Sequence, residues 1–128
     1  MIDHLTLGVR DLEAARAFYT ATLAPLGYRV LLAFDGAVGM GAPAPDGADP
    51  GGDFWLGIAE EPSPVHVAFA ASSVEQVQAF HAAALAAGGA DNGGPGERPQ
   101  YHPGYYAAFV HDPDGHNIEA VFHGADAH

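Results

Sequence analysis

The chain repeats itself, and that restricts its fold more than any other feature. Asp3–Tyr28 aligns without gaps on Val65–Ala90 at an offset of 62, with eight of the twenty-six pairs identical. Three of those eight are Ala–Ala pairs in an Ala-rich chain, but the shared order of strand, helix and Gly stop is not a matter of composition. DHLTLGV pairs with VHVAFAA, and LEAARAFYTATLAPLG pairs with VEQVQAFHAAALAAGG, so His4 meets His66, Glu13 meets Glu75, Phe18 meets Phe80 and Leu23 meets Leu85. A duplicated unit that contains both a strand and a helix predicts two copies of one module.

The borders of each helix are written in side-chain chemistry. Asp11 can cap the first, with Pro25 and Gly27 beyond its end; Ser72 with Glu75 has the capping-box pattern for the second, which stops at Gly88-Gly89. Strands are expected near 28–34, 37–41 and 54–59, with Asp35-Gly36 as a hairpin turn, and 42–52 (APAPDGADPGG) is expected to be a mobile loop. After the second helix comes a Gly- and Pro-rich passage over 88–104. A strand over 105–111, the turn Asp112-Pro113-Asp114-Gly115 and a strand over 117–123 follow. Each copy reads β-α-β-β-β, although little supports a first return strand in the second copy.

A length of 128 residues fits one domain over 1–128, with module one at about 1–60, module two at about 64–123 and a short disordered C-terminal tail. Sixteen acidic residues stand against four Arg and no Lys, a formal charge of −12 that argues against nucleic-acid binding. The missing lysines remove Schiff-base and P-loop chemistry, and the missing cysteines remove disulfides, thiolate metal sites and thiol nucleophiles. No apolar run is long enough to span a membrane and no secretory leader is evident, so the expected location is the cytoplasm. Eight His in so short a chain are the positive clue.

Strand side chains alternate between the two faces of a sheet, so the sequence says which polar residues share a face. In the first strand Leu5, Leu7 and Val9 form an apolar face, and His4, Thr6 and Gly8 take the other. Val65, Val67 and Phe69 oppose His66, Ala68 and Ala70, and in the last strand Ile118, Ala120 and Phe122 oppose Asn117, Glu119 and Val121. Each of the three strands thus carries one metal-competent residue opposite its helix-packing face. If the modules pack sheet to sheet, His4, His66 and Glu119 converge on one concave surface. Two neutral imidazoles and a carboxylate suit a divalent ion and leave positions open for water or substrate.

With IDHLTLGVRDLEAARAFY at the start, PVHVAFAA in the middle and YYAAFVHDPDGHNIEAVFH at the end, the chain resembles the vicinal oxygen chelate superfamily of glyoxalases, bleomycin-resistance proteins and extradiol dioxygenases. The resemblance implies an α+β fold in which two βαβββ modules form an open, cup-shaped mixed sheet. It also implies a metal held by His4, His66 and Glu119, and a homodimer in which each chain can contribute ligands to a shared site. Where glyoxalase I relatives carry a fourth ligand, a Glu on the last strand of module one, Leu56 stands at about that place. Fosfomycin-resistance thiol transferases, which are similar in HLT, FWLGIAEE and DPDGH, use several cations and a Tyr that aligns with Phe109; this chain lacks them. Extradiol dioxygenases add a His and a Tyr as acid-base partners, for which His102, Tyr105 and Tyr106 are candidates.

The passage GERPQYHPGYY is expected to overhang the cup. Arg98 could hold a carboxylate or enolate oxygen and His102 could move a proton, with Tyr105 as a second catalytic candidate. Thr6, Trp55, Tyr101, Tyr106 and Phe109 complete the expected substrate wall, while His111, His116 and His123 read as satisfied or exposed side chains and His81 as a helix-surface residue. The expected function is a small metal-dependent enzyme, using Zn, Fe(II), Mn or Ni on a small substrate with vicinal oxygens. The chemistry is a lyase or isomerase, dioxygenase or thiol-transfer reaction. The rival reading is a protein that sequesters a small molecule without turnover.

Overall fold

Alternating apolar residues open each half of the chain and capped amphipathic helices follow them. In the computed structural model, which describes residues 1–43 and 49–124, β1 (Leu5–Val9) leads into α1 (Leu12–Leu23). Asp11 Oδ1 accepts the Ala14 amide at 3.0 Å, satisfying a donor at the helix start. A single 3-10 turn, Ala24–Leu26, ends the helix, and Gly27 takes φ +88°, a left-handed conformation that a side chain would resist. Strands β2 (Arg29–Ala33), β3 (Ala37–Gly41) and β4 (Phe54–Ile58) complete the first module, with Phe34 N–H donating to the Ala37 carbonyl across the Asp35-Gly36 turn.

The second module runs β5 (His66–Ala70), α2 (Val74–Ala86), β6 (Ala90–Asp91), β7 (Gly96–Glu97), β8 (Tyr106–His111) and β9 (Asn117–Phe122). Its helix is capped one residue later than the sequence pattern implies. Ser73 Oγ accepts the Gln76 amide at 3.1 Å, and Gln76 Oε1 accepts the Ser72 amide at 2.7 Å, so Ser73 and Gln76 replace Ser72 and Glu75 in that role. The weakly supported return strand is two fragments, β6 and β7, both paired with β8. Gly93, Gly94 and Pro95 interrupt the ladder between them. Part of the expected mobile loop, 44–48, and the expected tail, 125–128, lie outside the described residues.

The fold is α+β, two βαβββ modules as expected, with strand orders β1-β4-β3-β2 in one sheet and β5-β9-β8-β6 in the other. Outer β1 pairs in parallel with β4, and β5 in parallel with β9, so the modules match strand for strand. Their helix-bearing sides share one core that includes Leu7, Phe18, Tyr19 and Leu56 of the first module and Phe69, Phe80 and Ile118 of the second. Phe54 and Phe69 meet edge to face at 5.0 Å across the junction. Since both helix-bearing sides pack into that core, the other side of each sheet faces away from it.

The Asp112–His116 turn ties the modules together. Asp112 Oδ1 accepts the amides of Asp114 and His116, and its other oxygen accepts the buried Tyr19 hydroxyl of α1. Val65 N–H donates to His116 Nδ1 at 3.1 Å while His116 Nε2–H donates to the Gly8 carbonyl at 2.8 Å. One neutral tautomer therefore joins β1 to the entrance of β5. No helix among the described residues is long and apolar enough to cross a membrane.

Candidate functional site

The side of the second sheet that faces away from the helices carries His66 and Glu119. Cross-strand partners share a face, and the register pairs Ala68 with Glu119 and Phe109 with Glu119. Glu119 thus sits mid-sheet between β5 and β8. Its side chain is 1% exposed, unusual for a carboxylate, whereas the His66 side chain is 52% exposed. His66 Nε2 and Glu119 Oε1 lie 2.7 Å apart, and the other carboxylate oxygen accepts the Tyr105 hydroxyl. Tyr105 begins the approach to β8, and burial, then the bond to Glu119, pushes its hydroxyl above the ordinary tyrosine range, so it is held as a donor.

That separation is a hydrogen-bond distance, shorter than the roughly 3 Å or more between neighbouring ligands bound at about 2.0–2.2 Å to one divalent ion, so the two groups would have to part slightly to share one. An imidazole and a carboxylate fit such an ion in type. The third expected ligand is elsewhere. His4 lies just before β1, 55% exposed, with its Nδ1 2.7 Å from Asp3 Oδ1. Among the described residues no group of three His, Asp or Glu side chains is placed to hold a metal. The chain brings His66 and Glu119 together and leaves His4 apart, because the modules meet through their helix-bearing sides and not through the faces that carry these residues.

The duplicated register explains the first sheet. Thr6, the repeat partner of Ala68, pairs with Trp55, whereas Ala68 pairs with Glu119. Trp55 therefore occupies the position that Glu119 holds in the other module. Leu56, expected to mark the place of a fourth ligand, is instead fully buried in the core, since alternation gives the outward positions of β4 to Trp55 and Gly57. Neither is a carboxylate. The indole lies against Gly39 and Gly51, where an added Cβ would come within 2.6 and 2.7 Å of its ring. It stacks on Phe34 at 6.1 Å and 9°, and its N–H donates to the Gly52 carbonyl at 3.2 Å. Thr6 is exposed beside it.

Of the expected wall, the structure gathers Arg98, Phe109, Tyr101, His102 and Tyr105. Arg98 lies over the Phe109 ring at 5.4 Å, and the Tyr101 and Tyr105 rings are 4.9 Å apart. Tyr106 does not belong to it. One residue beyond Tyr105, it turns to the helix side, where it packs against the core and its hydroxyl accepts from Gln78 of α2 at 3.2 Å. His102 has a partner that the sequence reading missed: its Nε2 is 2.9 Å from His123 Nδ1, with the rings stacked at 5.1 Å and both against Tyr105. The only sequence signal for this pair was that 123 shares the alternation of Glu119. His81 pairs with Asp91 at 3.0 Å. A cavity of about 580 Å³ beside the start of α1, lined by Arg10, Arg16, Phe34 and Ile58, contains none of the donor residues.

Comparison with known proteins agrees with this architecture. The model of the Glyoxalase/Bleomycin resistance protein/Dioxygenase superfamily matches residues 1–120. A glyoxalase/bleomycin resistance protein from Albidiferax ferrireducens T118 is 33% identical, over 94% of this chain and 96% of that one, with a TM-score of 0.76. A family enzyme from Burkholderia phytofirmans PsJN is 19% identical over 94% and 97% of the two chains, TM-score 0.70, a likeness of fold. A glyoxalase I mutant from Zea mays is 25% identical over 94% of this chain and 45% of its own longer one, TM-score 0.70. No curated protein matches the chain.

Proposed function

The chain belongs to the glyoxalase/bleomycin resistance protein/dioxygenase superfamily, and we propose that within it this protein is a small metal-dependent enzyme acting on a small substrate with vicinal oxygens. His66 and Glu119 would hold the divalent ion, with His4 reaching the same site from a second copy of the chain. The observation that carries this reading is the Glu119 carboxylate, buried on the outward face and 2.7 Å from a half-exposed imidazole. Burying a carboxylate costs free energy, which its contacts with His66 and Tyr105 offset, and those contacts hold both oxygens in place beside the exposed imidazole.

A bound divalent ion would supply Lewis acidity toward adjacent substrate oxygens. The remaining work falls to the chain. Tyr105 keeps Glu119 oriented through its hydroxyl. The His102–His123 pair stands against Tyr105 and offers an imidazole for proton movement. Phe109 supplies an apolar floor next to His66, the ring centroids being 6.1 Å apart.

Metal analysis of protein purified without chelator tests the reading. Wild type is expected to hold about one ion per chain, and His66→Ala, Glu119→Ala and His4→Ala to hold less than about a tenth of that. Negligible metal in all four samples favours the second reading, a non-catalytic small-molecule binder. One observation specifically supports that alternative: the flat Phe34–Trp55 platform of the first sheet, suited to stacking.

A further inference from the structure

The chain contains four arginines and no lysine, so the place of each cation is informative. Arg10 is spent on Asp114, Nη1 to Oδ1 at 3.2 Å, while Arg16 lies on α1 and Arg29 opens β2. Arg98 alone stands at the second sheet. Its backbone N–H donates to the Tyr105 carbonyl at 2.7 Å, which fixes it beside the residue that holds Glu119.

A glycine loop seats the guanidinium. Nη2 donates to the Gly94 carbonyl at 2.8 Å and Nη1 to the Glu97 carbonyl at 3.4 Å. An added Cβ on Gly93, whose φ is +142°, would come within 3.3 Å of Nη2, and one on Gly96 within 3.1 Å of Nη1. Side chains at Gly93 and Gly96 would thus press on the cation, whereas Gly94 borders it only through its carbonyl. Among the described residues no carboxylate forms an ion pair with Arg98, and its two backbone bonds leave most of its five N–H donors uncommitted. Phe109, beneath it at 5.4 Å, is the cross-strand partner of Glu119 and a neighbour of His66.

We propose that Arg98 is an anion subsite that receives the carboxylate of a monoanionic substrate, one aromatic ring away from the His66–Glu119 pair. The second half of that statement rests on the reading given under Proposed function; the anion subsite itself does not. A guanidinium fork matches a carboxylate with two parallel hydrogen bonds, and Phe109 offers a surface to the planar body that bears it. With one cation on this face and a chain charge of −12, multiply charged anions are repelled and a single carboxylate is the class that fits.

The four arginine side chains give four Nε–H resonances, which makes the test direct. Nitrogen-15-labelled protein supplied with zinc(II) is titrated at low salt with 3,4-dihydroxybenzoate and with the neutral 3,4-dihydroxybenzamide. The expected result is a shift of the Arg98 Nε–H signal with the acid, an affinity at least about tenfold above that of the amide, and loss of that preference in Arg98→Gln. An unmoved Arg98 signal in wild type, which needs no variant to fold, overturns the proposal. So does an equal affinity for acid and amide, or a preference that survives in Arg98→Gln. Benzoate and benzamide separate the two readings. If benzoate still selects Arg98 and the ring hydroxyls add no affinity, the anion subsite stands and the vicinal-oxygen reading falls; tight binding of the dihydroxy amide without preference for the acid gives the reverse.

Discussion

The two sheets share one plan but differ in their outward faces. In both, a His precedes or opens the outer strand, and that strand runs parallel to the last strand of its module. At the matching position of that last strand the first module has Trp55 and the second has Glu119. Around Trp55 lie Gly39, Gly51 and Phe34, a flat wall without a carboxylate on the strands. Around Glu119 lie His66, Tyr105 and Phe109, a polar centre with a fixed cation at its rim. The repeat supplies equivalent backbone positions, and one of them holds an indole stacked on Phe34 while the other holds a buried carboxylate beside an imidazole. Chemistry can diverge at such a position because it faces away from the core, where packing constrains the residue less.

Exchanging the two equivalent residues for Ala should separate the faces most clearly. Glu119→Ala is expected to abolish metal retention. Trp55→Ala should leave metal retention intact while costing about 1–3 kcal/mol in denaturant unfolding, a smaller loss than for a fully buried Trp because the indole is half-buried. Metal loss in both variants would contradict the division of labour.

The joint between the modules should respond to alkali. Burial, then the adjacent Asp112 carboxylate, raises the Tyr19 hydroxyl far above its ordinary value. The folded chain keeps this proton where the unfolded chain releases it, so the contribution is complete below pH ~10 and declines as pH rises above that value. Unfolding measured from pH 8 to 11 should show falling stability, with a shallower decline in Tyr19→Phe. That variant should also lose about 1–3 kcal/mol at neutral pH, because Asp112 is left without its hydroxyl donor. An unchanged alkaline slope would remove Tyr19 from the account.

The smallest effects should be the most symmetrical. Asp11→Ala and Ser73→Ala each remove one helix cap and should each cost about 1 kcal/mol. A much larger loss in one would mean that the modules contribute unequally to folding.

The repeat made much of this architecture legible. Alternation in DHLTLGV, VHVAFAA and NIEAVF placed His66 and Glu119 on one face, and the hydrogen bond between them follows from neighbouring strands. Local rules left small errors. Two consecutive serines offer two cap registers, and the helix uses Ser73. Within β4 a one-residue slip exchanges faces, which is why Leu56 and not Trp55 was matched to the fourth-ligand position. Tyr106 was grouped with Tyr105 for the same reason, although adjacent strand residues point opposite ways. The position of His4 depends on which sides of the two sheets meet. That choice is made by Phe54, Phe69 and Tyr19, contacts far apart in the chain that no local pattern encodes.

The decisive measurement is metal content in a mixed dimer made by co-expressing His4→Ala and His66→Ala chains with different tags and purifying through both. If His4 of one copy completes the His66–Glu119 site of the other, one of the two sites in the mixed species is intact. It should then hold about half an ion per chain, while each variant alone holds almost none. A mixed dimer as empty as its parents would contradict the shared site.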